Sequence, residues 1–446
     1  MSDMLSIGLS SLKAYQTALT TVSENIASAG TAGYSRRTTD IREVVAPAGI
    51  TTGTAQGMGV VARGLTRAAD VYKTAEVRTA TADLARTEAG ATWLQRVEES
   101  LTGNKLGDRL TGFFNSAKAV AADPASLAPR AAMLEAASSI ASSFAATGTA
   151  LDGAMEDLDK SAEAAATQLN SLARSLGRVN AGLGRQQEGT SGQAALLDER
   201  DRLLEQMSAI TDVSVTTDTS GRAIVRVGGV AGPVLVQGEN TGAITYQRSD
   251  EGLVAYTLHF QGEGSPVFPN GGVLAGFAEG AERIAGALDE VNKLATAFAE
   301  GINTVQAAGE DLDGTAGAPM FAAGDPAYKL TLMLDDPRGI AAAAPGKGIR
   351  DNGNLAGLEA LRGSGRFEDT IASVTSANAA ALSARRSVAE AQTAMRDSAV
   401  SERAAATGVN VDEEAVDLIR FQQAYQASSR VIQIARDTLN SILEIR

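Results

Sequence analysis

VDEEAVDLIRFQQAYQASSRVIQIARDTLNSILEIR, Val411 to Arg446, is the stretch on which the reading of this chain turns. Large apolar residues recur at Leu418, Phe421, Tyr425, Ile432, Leu439 and Ile442, with small Ser428 and Ala435 at the intervening seam positions. Steps of three and four make a heptad stripe along one face of a helix roughly 50 Å long. The opposite end of the chain carries a matching stripe at Leu5, Gly8, Leu12, Tyr15, Leu19, Val22 and Ile26. The two termini are therefore expected to pair as a coiled coil. The six large seam residues alone do not offset the entropy of ordering so many backbones. Further apolar surface must come either from neighbouring copies or from a globular body that the pair closes, and periodicity leaves both open.

Composition narrows the class. The 446 residues suffice for two or three domains, and only 4 % are aromatic, so long helices with thin cores are expected. A net charge of −14 speaks against nucleic acid or an anionic membrane as partner, since both require a basic face. No run of eighteen apolar residues is present, so no membrane insertion is expected. The start, MSDMLSIGLSSLKAYQTALT, lacks the basic and apolar regions of a secretory signal. Zero cysteines remove disulfides and thiolate metal sites. That suits a cytosolic protein, or one exported unfolded without a signal peptide.

In chain order, residues 4 to 27 read as a first helix, broken at Gly30 and Gly33 before an extended segment from Tyr34. Residues 38 to 67 read as irregular and β-prone. Helical patterns follow over 70–101, in the segment ending near Asp123-Pro124, over 130–182 and over 193–211. At Asp212 the period falls to two, and short Gly-punctuated runs to Gln261 read as β-hairpins with one wet face. Helix resumes over 272–308, one strand is expected over 328–334, an irregular stretch to 365, then a long helix over 367–406. The architecture is thus mainly α with a β insert, a discontinuous multi-domain rod. It comprises a terminal helical assembly domain (1–45 and 407–446), a long-helix middle domain (46–211 and 262–406) and a small antiparallel β domain (212–261). The insert is expected to be an outward module that a short linker could replace.

Catalytic and metal patterns are weak. His259 has no triad or metal set around it and reads as a solvated strand residue. GMGVVARG, 57–64, echoes a phosphate loop but follows no clear strand, so a turn is preferred. GEDLDG, 309–314, opens like a calcium loop, yet its twelfth position is Ala322 rather than a glutamate. Asp412, Glu413 and Glu414 read as helix-start carboxylates facing the dipole. No enzyme, no cofactor and no metal site is expected.

Two terminal segments carry a resemblance. NIASAGTAGYSRR (Asn25 to Arg37), with Asn25, Gly33, Tyr34, Ser35 and Arg36, resembles the N-terminal signature of the axial proteins of the bacterial flagellum. GVNVDEEAVDLIRFQQAYQASSRVIQIARDTLNSIL (Gly408 to Leu443) is similar to their C-terminal signature. LTGFFNSAKAVAADPASLAPR, LLDERDRLLEQMSAITDVSV, INTVQAAGEDLDGTAGAPMF and LTLMLDDPRGIAAA resemble the hook-associated protein 1 family, the first hook–filament junction protein. The resemblance implies a secreted structural adaptor that caps the hook and joins it to the flagellin filament. It implies unfolded export by the flagellar type III route and folding of the terminal helices on assembly. The implied partners are copies of itself, the hook protein, the second junction protein or flagellin, and an export chaperone at the C-terminal helix. Another axial protein of hook or rod type is the alternative, and less so an axial chassis with an enzymatic insert.

Overall fold

A computed structural model describes residues 2–31, 33–45, 57–249 and 251–444. Helix α1 (Ser2–Ser28) is followed by strands β1 (Arg37–Val45) and β2 (Gly57–Arg67), which pair antiparallel from Arg37 opposite Arg67. The segment 57–64 is thus a strand, where the sequence suggested a turn. Its glycines serve close packing: a Cβ at Gly59 would stand 2.5 Å from Ser10 Oγ and 3.2 Å from the Ile7 backbone. The hairpin can lie flat on α1 only without that side chain.

The body is a bundle of long helices. Helix α2 (Val71–Gly103) is capped by Asp70, whose carboxylate accepts from the amides of Tyr72 and Lys73. After α3 (Leu106–Ala122), the chain passes Asp123-Pro124 and enters α4 (Leu127–Leu183), uninterrupted for 57 residues. Then come α5 (Ser191–Ile210), two small sheets, α6 (Gly272–Ala307), α7 (Leu355–Gly365), α8 (Phe367–Thr407) and α9 (Val411–Glu444). Between α6 and α7 the strands β10 (Phe321–Ala322) and β11 (Thr331–Leu332) pair, and Glu310 forms single bridges with Ala316 and Ala343. The strand foreseen over 328–334 shrinks to two residues, and the segment foreseen as irregular holds α7.

A shortage of aromatics does not make the core thin where they cluster. Six of the ten phenylalanines, Phe113, Phe114, Phe144, Phe298, Phe321 and Phe367, are buried together where α3, α4, α6 and α8 meet. Phe298 is central, with ring centroids of Phe113, Phe321 and Phe367 each 5.4 Å away.

The β region forms a four-stranded sheet, β3 (Val213–Thr217), β4 (Ala223–Val227), β5 (Val234–Gln237) and β6 (Asn240–Thr241), and a three-stranded one. The latter contains β7 (Ala243–Arg248), β8 (Val254–Phe260) and β9 (Glu263–Val267), so strands continue past Gln261. Gly264 and Pro266 in β9 hid it from a reading of alternation. Val225, Val227, Val236, Tyr256 and Leu258 bury themselves in one cluster with Leu169 and Leu176 of α4 and Leu203 and Met207 of α5. The insert is therefore built into the body, and a short linker in its place would uncover those helices.

Candidate functional site: where the two chain ends meet

Helices α1 and α9 lie antiparallel. Gly8 faces Ile432, the Tyr15 and Phe421 rings stand 6.3 Å apart, and Asn25 meets Glu414. Small residues set the spacing. A Cβ on Gly8 would come within 2.6 Å of Ile432 Cγ1, while Ser428 and Ala435 are buried. The large seam residues flank this line: Val22 is buried, and Leu5, Leu12, Tyr15, Leu19, Ile26, Leu418, Phe421, Tyr425 and Ile432 are half-buried. Leu439 is exposed, and the side chain of Ile442 lies outside the described residues. A second face of α1 carries Ile7, Ser10, Ala14, Ala18 and Thr21 at helical spacing. It receives the hairpin, with Thr21 Oγ1 2.9 Å from Thr39 Oγ1. The terminal unit is thus three layers, α9 on α1 on the β1–β2 hairpin.

The signature residues converge at one end of this unit. Gly33, with φ of 83°, turns the chain after α1. Asn25 is fully buried, and its amide is saturated. Its Oδ1 accepts from Arg37 N (3.0 Å) and Tyr34 Oη (2.8 Å), while its Nδ2 donates to Arg37 O (2.7 Å) and Glu414 Oε2 (2.9 Å). Arg36 Nε donates to Glu414 Oε1 at 2.6 Å, and its amide donates to Thr407 O at 2.8 Å. That hydrogen bond to Glu414 is the largest cause raising the Arg36 pKa above its ordinary value. Burial chiefly raises the pKa of Tyr34, whose ring lies 4.8 Å beneath the Arg37 guanidinium. Ser35 is buried beside them.

Glu414 is the residue that sequence reasoning misassigned. Asn410 Oδ1 caps α9 by accepting from Asp412 N at 3.1 Å, so Glu414 is not needed at the helix start. Only 1 % exposed, it spends both oxygens on the N-terminal signature instead. A signal was available: Glu414 lies seven residues before Phe421 and fourteen before Ser428, at a seam position where a charge calls for a specific partner. Arg37, Arg67, Asp198 and Asp201 were also missed. The two arginines, opposed across the hairpin, reach α5: Arg37 Nη2 lies 2.9 Å from Asp198 Oδ2, Arg67 Nε 2.6 Å from Asp198 Oδ1, and Arg67 Nη2 2.8 Å from Asp201 Oδ2.

His259 is exposed on β8, and its ring faces Gly264 of the neighbouring strand. Asp311 closes its own loop, accepting from the amides of Asp313 and Thr315. Among the described residues no group of histidine and carboxylate side chains is placed to hold a metal ion, and no helix is long and apolar enough to cross a membrane.

The architecture defines a class: a mainly helical protein whose chain ends form one unit, joined by the Asn25–Arg36–Glu414 network, beside a helical body. Comparison with known proteins agrees. Residues 94–321, just over half of the chain, match the family model "Flagellar hook-associated protein FlgK helical domain", and residues 401–445 match "Flagellar basal body rod FlgEFG protein C-terminal". The chain belongs to the FlgK family of flagellar hook-associated proteins. It is 27 % identical over 343 residues to flagellar hook-associated protein 1 of Escherichia coli K12, covering 73 % of this chain and 61 % of that one. The chain therefore spans about three-fifths of that relative's length. Flagellar hook-associated protein 1 of Bacillus subtilis 168 is 24 % identical, over 97 % of this chain and 96 % of its own. The solved flagellar hook junction protein FlgK from Burkholderia pseudomallei aligns with a TM-score of 0.49 and 20 % identity, over 56 % of this chain and 47 % of that chain.

Proposed function

We propose that this chain is a structural adaptor of the bacterial flagellum that caps the hook and joins it to the flagellin filament. The observation that carries the reading is a second set of exposed apolar side chains on α9, in two patches separated by Gln423 and Arg430. Val416, Ile419 and Ile434 are exposed on the face roughly 150° around the helix from the seam, taking 100° per residue, and Val431 is exposed on the flank about 90° from it. Met4 and Leu9 are exposed on α1. Single exposed apolar residues are ordinary, but patches of them recurring opposite a filled seam call for a partner. Here α1 fills one face, and neighbouring copies of the same chain would fill the other.

The rest of the reading follows from family membership and from the relatives' name, hook-associated protein 1. The protein would be secreted unfolded by the flagellar type III route and complete its terminal packing on assembly at the hook–filament junction. Hook protein would lie on one side and the second junction protein or flagellin on the other. An export chaperone would cover the C-terminal helix beforehand, and the role would be structural rather than enzymatic. The division of labour would be a terminal assembly unit, here including β2, a long-helix body and the β region fused to it. The C-terminal match to the rod-protein model is common ground with rod-type proteins, so the body decides between them. In a strain lacking this gene, electron microscopy is expected to show hooks without filaments, with flagellin free in the medium. Normal filaments in that strain would reject the junction role.

A further inference from the structure

Among the described residues, the terminal unit and the body share no apolar core: neither large cluster of buried apolar side chains has a member in 2–69 or 409–444. The chain crosses between the units twice, near Ala68–Asp70 and near Gly408–Asn410. Two backbone touches accompany the crossings: Leu65 N donates to Gly189 O at 2.7 Å and Arg36 N to Thr407 O at 2.8 Å. At the first, a Cβ on Gly64 would stand 3.0 Å from Gly189 Cα, so backbone rests on backbone as at a pivot.

The remaining bridge between hairpin and body is mainly ionic, with Arg37 Nη1 also donating to Ser191 Oγ of α5 at 3.3 Å. The Asp198 carboxylate lies between the Arg37 and Arg67 guanidiniums, and Asp201 takes the outer nitrogen of Arg67. All four side chains are less than a fifth exposed. Their hydrogen bonds are directional, so a small rotation of one unit on the other breaks them together, whereas an apolar interface would slide. Two further observations point to movement. A groove of about 680 Å³ opens beside the cluster, between Tyr34 and Ser35 on one bank and Glu205 and Arg403 on the other. Nε of Arg37 is buried without a protein acceptor, so one donor of the cluster stays unpaired within the chain.

We propose that Arg37 and Arg67 with Asp198 and Asp201 form a latch that fixes the angle between the terminal rod and the body. When the latch opens, the terminal unit pivots at Gly64–Gly189 into the groove. The device belongs to the single chain, so it stands or falls apart from the junction reading.

The chain has no cysteine, which permits site-directed spin labels at Lys13→Cys on α1 and Ser171→Cys on α4, read by pulsed electron paramagnetic resonance. The unaltered latch is expected to give one narrow distance at low salt. Asp198→Asn with Asp201→Asn should lose that single distance and give a broad distribution. Asp218→Asn, which removes the Arg222 pair within the β region, should leave it narrow. Arg67→Gln and a salt titration of the unsubstituted latch supply the same reading should the double variant fold poorly, and both should broaden the distance. A distance that stays narrow without the two carboxylates, or across the salt range, overturns the latch. So does a distribution already broad at low salt.

Discussion

Replacing Glu414 by alanine tests how the two chain ends are held. The substitution removes the acceptor of Arg36 Nε and one of the two acceptors of Asn25 Nδ2, at a position 1 % exposed. Hydrogen bonds to charged groups are worth about 1.5–3 kcal/mol, and truncating one partner of a buried pair costs more. Arg36 is 27 % exposed and recovers part of its hydration, and Asn25 Nδ2 keeps the Arg37 carbonyl. A loss of about 2–3 kcal/mol follows, confined to the docking of α9 on α1. By hydrogen exchange on the full chain, amides of α9 should then exchange about 30- to 150-fold faster, at about 1.4 kcal/mol per tenfold. Amides of α2 and α6 should keep their rates, because neither apolar cluster includes the terminal unit. Unchanged exchange in α9 would refute the network as the lock. Equal acceleration in the body would refute the independence of the two units.

Three further outcomes follow from the packing. Gly8→Val should cost about 1–3 kcal/mol by overpacking against Ile432, and Ile432→Ala in the same chain should recover part of it, read as helix content of the terminal unit on heating. Phe298→Ala, at the centre of the aromatic cluster, should lower the body's stability by about 3–5 kcal/mol in calorimetry without changing exchange in α9. Burial raises the pKa of Asp159, but hydrogen bonds from Arg248 and Tyr246 outweigh it and hold the carboxyl below its ordinary 3.8. A lowered folded-state value stabilises at pH above the unfolded value and loses that stabilisation as pH falls through the lowered one. Asp159→Asn should therefore flatten the acid side of the melting-temperature profile below about pH 4 and leave its neutral slope alone.

The sequence disclosed most where one period ran long. The heptads of α1 and α9, the unbroken α4 and the alternation in β4, β7 and β8 each leave a mark that local physics reads directly. It disclosed least where a residue type serves a contact distant in sequence. The glycines of 57–64 read as a turn because their close approaches, Gly59 to α1 and Gly64 to Gly189, appear only once the hairpin is in place. Glu414 reads as a helix-start acid because its partners lie 389 and 378 residues away. The alternation of the β region suggested a wet outer face, yet which face is covered depended on α4 and α5. Among the signature residues, Asn25, Tyr34 and Arg36 meet in one network with Glu414, a convergence that spacing alone did not reveal.

If the outward apolar residues of α9 form an assembly face, charge placed there blocks incorporation while the chain stays folded. Val416→Asp with Ile434→Asp alters two exposed positions opposite the seam, so the isolated chain should keep its melt and its exchange pattern. In a complemented deletion strain the variant should be secreted in normal amount, yet electron microscopy should show bare hooks and flagellin in the medium. Full filaments on that strain would contradict the account.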